Sequence, residues 1–297
     1  MSGLLSPDIS LLVSERKQAG LMQSSSVLSG IGLHTGKFSN LRLCPAPENT
    51  GVVFRRVDLP GAPEILACVD HVVDTSRLTT LGKDGILVHT VEHLLAALKA
   101  LSVDNVFVEL DGPELPILNG ASDQFVAAIE EGGRLEQEGV CPILKLERPV
   151  HWSNGDIHLV ALPYDGLKFT YTMHYPQVQA LGTQYVSLDL TAESFIEQIA
   201  SCRTFCLYEE VKYLVDRTLI QGASLESGVV VWKDCFFAKD GLHFPDEMGR
   251  HKLLDLIGDL SLVGMDYQAH VIAVKSGHES NAEFARLLYQ SLVSGGN

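Results

Sequence analysis

Apolar positions along this chain fall into two rhythms. VVFRRVD (52–58), NVFVEL (105–110), IHLVALP (157–163), KFTYTMHY (168–175) and HVIAVK (270–275) are short runs rich in β-branched and aromatic residues, which predicts strands. In TVEHLLAALKAL (90–101), SDQFVAAIEE (122–131), AESFIEQIA (192–200), residues 246–262 and SNAEFARLLYQSL (280–292) the apolar positions return every three or four residues, which predicts amphipathic helices. The first twenty or so residues keep no period, so residues 1–22 are expected to form a flexible leader. EEGGRLEQEGVCP (130–142) combines a glycine pair, charge and a proline, placing a boundary near 134–146 and domains at 23–140 and 141–297.

Within DEMGRHKLLDLIGDL (246–260), His251, Asp255 and Asp259 recur every four residues, so on a helix they share one stripe. Leu253, Leu256, Ile257 and Leu260 make an apolar face elsewhere on the same helix. Burying each is worth about 1.5–3 kcal/mol, so that face decides how the helix docks and aims the polar stripe away from the core. In the helix 90–101 the core stripe is Val91, Leu94, Leu95 and Leu98, with Glu92 and His93 beside it. HLLAALKALSVDNVFVELDG and its following helix run parallel to HKLLDLIGDLSL, HVIAVKSGH and the last helix. That order suggests a duplicated α+β unit with a helix layer on each sheet, or simply the commonness of helix–strand–helix.

Charge narrows the partners. Lysine and arginine number 22 against 37 acidic residues, a net charge of −15, with no basic block, which argues against nucleic acid and anionic membranes. Hydrophobic residues make up 46% of the chain, enough for full cores, yet no apolar run approaches the roughly 18 residues of a membrane helix. The N-terminal stretch has its basic residues after its apolar ones, the reverse of a signal peptide, so a cytoplasmic location and no membrane insertion are expected. The six cysteines lack metal-binding spacing and read as reduced thiols.

Two histidines and a carboxylate, His93, His251 and Asp255, compose the three-ligand set of a catalytic zinc site with one open position. Iron(II) is compatible with the same ligand types. Glu92, turned about 100° from His93, is placed to act as a base toward water. A fourth protein ligand would instead favour a metal-stabilised binding protein. His278 in KSGHES lies between a strand and a helix, where it serves as an acid or is an ordinary surface histidine. SCRTFC (201–206) offers a hydroxyl, a guanidinium and a phenyl ring, or is a loop with a core phenylalanine. GIGLHTG (30–36) misses the dinucleotide-loop spacing by one residue and is not followed by a βαβ unit, so its glycines read as a tight turn.

TVEHLLAAL, SCRTFC, GRHKLLDLIGDL and GHESNAEFARLL, with SGIGLHTGK ahead of them, closely resemble the zinc-dependent UDP-3-O-acyl-N-acetylglucosamine deacetylases of lipid A biosynthesis, in the same order over about residues 25–292. The resemblance implies an α+β fold of two related domains, each a sheet covered by helices, packed helix layer to helix layer with the site between them. It implies hydrolysis of the N-acetyl group of a UDP-linked acylated amino sugar, the committed step of lipid A biosynthesis, by a monomer. It places zinc on His93, His251 and Asp255, a general base at Glu92 and a general acid at His278. Thr204 would stabilise the oxyanion, Asp259 would orient His278, Lys252 would bind substrate, and Phe205 would line the acyl passage, whose insert lies around 203–230. Arg203 or Arg250 would meet the diphosphate. Cys206 stands where the family motif ends in glycine.

Overall fold

The computed structural model describes residues 11–211, 222 and 224–294, so part of the expected acyl-passage insert, 212–221 and 223, lies outside the described residues. The first half runs β1 (Leu12–Leu21), β2 (Leu28–Ile31), β3 (Phe38–Pro45), β4 (Val52–Arg56), β5 (Glu64–Leu66), β6 (Val72–Asp74), β7 (Thr80–Lys83), β8 (Ile86–Val88), α1 (Glu92–Ala100), β9 (Val106–Leu110) and α2 (Asp123–Gly132). The second runs β10 (Arg134–Lys145), β11 (Val150–Asn154), β12 (Ile157–Leu162), β13 (Leu167–Tyr175), β14 (Gly182–Asp189), α3 (Ala192–Gln198), β15 (Phe205–Leu207), β16 (Val229–Trp232), β17 (Cys235–Phe237), α4 (Glu247–Ser261), β18 (Asp266–Val274) and α5 (His278–Ser294). No helix among the described residues is long and apolar enough to cross a membrane.

Two large sheets organise the chain. One has the order β2-β3-β9-β4-β5, with β9 antiparallel to β3 and parallel to β4. The other has seven strands around β18, which runs parallel to β10 and β13 and antiparallel to β12. Burial alternates along β18, with Tyr267, Ala269, Val271 and Ala273 turned inward. That period of two is the mark of a sheet buried more deeply on one face. Helices α4 and α5 pack together; α4 also meets β13 and β14, and α5 meets β11 and β12. Helix α1 packs against α4, α2 and α3. The order helix, strand, helix recurs as α1-β9-α2 and α4-β18-α5.

Two expectations are corrected here. Residues 12–21 of the supposed leader form β1, paired antiparallel with β10 from Leu12↔Leu144 to Leu21↔Arg134 with two irregularities in register. Its first six residues are exposed or half-buried and only its last four are buried, which hides the strand period. Arg16 fastens it, donating to Asp104 at 2.8 and 2.6 Å and to Asp266 at 2.6 Å. The supposed boundary at 134–146 is itself the strand β10. Its glycine at 139 lies close under β1, since a Cβ there would stand 2.8 Å from Gln18 Oε1 and the glutamine would have to shift.

The contact between α1 and α4 depends on Gly258. A Cβ at this position would stand 2.1 Å from the Glu92 carbonyl oxygen and 2.8 Å from its carbon, main-chain atoms that cannot swing aside. Alanine gains about 1 kcal/mol over glycine in a helix interior, but overpacking costs about 1–3 kcal/mol or more. Gly258→Ala is therefore expected to lower the melting temperature and, by pushing Glu92 and His93 away from α4, to lower bound metal per chain. An unchanged melting curve with full metal content would contradict this packing.

Candidate metal and catalytic site

Helix α1 begins at Glu92, which puts Glu92 and His93 in its first turn, buried against α4. Across from them α4 presents His251 and Asp255 one turn apart, on the stripe its apolar face dictates. The Asp255 Oδ1 atom lies 3.6 Å from His93 Nε2 and 3.3 Å from His251 Nε2. The two imidazoles meet edge to face with centroids 5.0 Å apart. Among the described residues these three form a cluster able to hold a metal, with no fourth side chain in it.

The fit to a cation rests on an orphan atom. Asp255 Oδ1 is buried and has no hydrogen-bond partner, although its other oxygen accepts from Lys252 Nζ at 2.6 Å. A buried carboxylate oxygen without a partner costs several kcal/mol or is coordinating an ion. Four-coordinate bonds of about 2.1 Å put neighbouring ligand atoms about 3.4 Å apart, which matches the observed separations. Burial pushes the His251 pKa down to about 4, so the ring is neutral, and its Nδ1 lies 3.0 Å from the Cys202 carbonyl, leaving Nε2 as the lone-pair donor. Burial alone would raise the Asp255 pKa, but its polar neighbours, the charged Lys252 bonded to it among them, outweigh that and hold the carboxyl well below its ordinary value.

Glu92 and His278, the expected base and acid, stand beside this cluster. Glu92 is buried and its pKa is raised by desolvation; its Oε2 accepts from the Thr79 main-chain N–H at 3.1 Å, leaving Oε1 for chemistry. His278 opens α5, and its Nδ1 lies 2.9 Å from Asp259 Oδ2. Burial opposes its protonation, but the Asp259 charge and hydrogen bond outweigh this and push the pKa up to about 9. Asp259 also accepts from Thr79 Oγ1 at 2.6 Å and Asn281 Nδ2 at 2.8 Å. Asp259 is thus enclosed by donors, apart from the three-residue cluster one turn earlier on α4.

Thr204 and Phe205 enter on the loop and strand after α3. The Thr204 main chain donates to Gly120 O and accepts from Val229 N, both at 2.8 Å. Phe205 is half-buried and meets Tyr175 edge-on at 6.4 Å. Cys206 is half-buried in β15, where burial pushes its thiol up to about 11. Arg203 is held away from an anion: it is buried, bonded to Glu247 at 2.8 Å through Nε, and gives three further hydrogen bonds to Glu247 and the carbonyls of Lys239 and Gly241. Its neighbours fix the loop, since Cys202 holds His251. Arg250 is paired with Asp246 at 2.7 Å and also donates to Gln198 O.

Two groups escaped the sequence reading. Thr79 carries no motif, and Glu114 had no partner in sight. Glu114 is fully buried and accepts from the main chain of His34 and Thr35 and from the hydroxyls of Thr35 and Thr90. A Cβ at residue 32 would sit 2.3 Å from Glu114 Oε2, so the GIGLHTG turn is a cradle for this carboxylate. A cavity of about 400 Å³ is lined by Tyr171, His174, Tyr175, Lys275 and Ser276.

Known proteins resemble this chain over most of its length. The family model described as "LpxC: UDP-3-O-acyl N-acetylglycosamine deacetylase" matches residues 19–290. A UDP-3-O-acyl-N-acetylglucosamine deacetylase of Chlamydia pneumoniae is 48% identical over 265 residues, 89% of this chain and 94% of the relative. One from Chlamydia felis (strain Fe/C-56) is 49% identical over 264 residues, with the same shares. One from Chlamydia trachomatis serovar D is 45% identical, covering 89% of this chain and 92% of its own.

Proposed function

Because this chain belongs to the LpxC family of UDP-3-O-acyl N-acetylglycosamine deacetylases, we propose that it hydrolyses the N-acetyl group of a UDP-3-O-acyl-N-acetylglucosamine, the committed step of lipid A biosynthesis. The products are acetate and the free amine. The observation that carries the reading is the buried, unpartnered Asp255 oxygen facing two imidazole nitrogens, beside Glu92 and His278. We take the two related α+β halves to pack through their helices, α1 and α2 against α4 and α5, with this site between them. The packing of α1 on α4 supports that arrangement.

His93, His251 and Asp255 would hold a zinc ion. Zinc in such a site supplies a Lewis acid that lowers the pKa of water toward about 7 and polarises the acetyl carbonyl. Glu92, in its unprotonated form, takes the proton of the attacking water on Oε1. The Thr204 hydroxyl donates to the developing oxyanion. His278, oriented by Asp259 through Nδ1, delivers its Nε2 proton to the departing amine. Lys252 stays charged beside Asp255 and offers a cation at the edge of the reacting centre. Phe205 lines the way for the acyl chain. Tyr171 and Tyr175 line the cavity of about 400 Å³, and among the described residues Lys275 on its rim pairs with exposed Asp156 at 3.0 Å. Such a pair is worth about 0–1 kcal/mol, so an anionic diphosphate can displace it.

The deciding experiment is acetate release from the UDP-linked 3-O-acyl substrate, before and after chelation. Acetate is expected to form, to stop in chelator and to return on adding zinc; an iron(II) arm compares the metals. No acetate, or release indifferent to chelation, would defeat the proposal.

A further inference from the structure

Thr79 lies immediately before β7 and is fully buried. Each of its polar groups is bonded to the reacting machinery or the residue beside it. Its N–H donates to Glu92 Oε2 at 3.1 Å, and its carbonyl accepts from Val91 N, one residue ahead of Glu92, at 3.3 Å. Its hydroxyl donates to Asp259 Oδ1 at 2.6 Å and stands 3.4 Å from His278 Nδ1. The other two donors on Asp259, His278 and Asn281, come from α5. Thr79 is the donor that reaches this carboxylate from the first half of the chain.

We propose that Thr79 is a positioning residue that fixes the general base relative to the general acid, its main chain holding Glu92 and its hydroxyl holding the Asp259–His278 pair. Without the hydroxyl, the Asp259 carboxylate keeps donors on Oδ2 alone and is free to turn about its Cβ–Cγ bond. The His278 ring, held through Oδ2, turns with it. A reacting group misplaced by about 1 Å costs on the order of 10²-fold in rate. The groups that set the charge on His278 are Asp259 on α4, Glu92 on α1 and Asp255 on α4. A looser Asp259 weakens the strongest of these, which lowers the pH at which His278 gives up its proton.

The proposal rests on the deacetylase reading, and its test keeps the two apart. In the metal-loaded enzyme, Thr79→Val removes the hydroxyl while nearly keeping the shape. It is expected to lower kcat by about 10–100-fold, with KM within about threefold and metal content unchanged. The alkaline limb of the pH profile should move to lower pH. Thr79→Ser should restore kcat to within about threefold of the parent. In an Asp259→Asn background, Thr79→Val should cost less than about twofold more, because both changes break one contact. If the valine variant does not fold, Thr79→Ala, which introduces no clash, takes its place in every arm. Parental kcat in the valine or alanine variant, equal impairment by serine, or full additivity with Asp259→Asn would each overturn the proposal. The His278 imidazole titration followed by NMR needs no substrate. A downward shift on losing the hydroxyl, in a protein that releases no acetate, sinks the reaction and leaves the positioning role standing; no shift sinks the role itself.

Discussion

Glu92→Gln is expected to lower turnover by about 10²-fold or more, the scale of a lost general base, while one metal per chain remains bound. Glutamine keeps the shape of the side chain, and its carbonyl can still accept from the Thr79 N–H that now holds Oε2. What is lost is a lone pair basic enough to take a proton. As the proposed base Glu92 must be unprotonated, and burial raises its pKa, so activity should fall as pH drops through a value above the ordinary carboxylate range. His278 works protonated, and Asp259 lifts it against the effect of burial to about 9, so activity should also fall as pH rises toward that value. A divalent ion nearby adds positive charge and draws this limb lower. The acid limb should disappear in Glu92→Gln. Single-turnover acetate release across pH measures both limbs, and a parental rate in the variant would remove Glu92 from the mechanism.

His251→Ala should lose the metal itself. The native ring is neutral, oriented by the Cys202 carbonyl and 3.3 Å from the orphan Asp255 oxygen, so its removal leaves two ligands where a stable site needs three. Elemental analysis after dialysis is expected to fall from about one metal per chain to near zero, with activity lost in parallel. The parent should gain melting temperature on adding metal, since a ligand bound only to the folded state stabilises it, and the variant should gain little. Full metal content in His251→Ala would mean that α4 presents no ligand face. Unchanged circular dichroism separates loss of the ion from loss of the fold.

Much of this site was legible because helices advertise their faces. The leucines of residues 253–260 marked one packed face of α4, although the helix is buried nearly all round and its polar stripe with it, and the four-residue spacing of His251 and Asp255 followed from helical geometry. Glu92 and His93 were legible for the same reason, and so was the recurrence of helix, strand and helix. Strands β1 and β10 were not, because their pairing is a fact of distance: Leu12 meets Leu144, and β10 mixes charge, glycine and proline in a way that mimics a linker. Arg203 looked like a free cation because its partner, Glu247, lies 44 residues on. Thr79 had no signal at all, since its importance comes from three hydrogen bonds made to residues of other elements.

The placement of β1 sets the order in which the molecule can be completed. Its partner strand is made more than a hundred residues after it, and Asp266, which anchors Arg16, lies 250 residues along the chain. At about 5–20 residues per second of synthesis, Arg16 waits on the order of 10–50 s for that carboxylate. Until β10 has been made, β1 lacks the strand it pairs with and its open backbone groups can meet any passing strand; the bond from Arg16 to Asp266 closes later still.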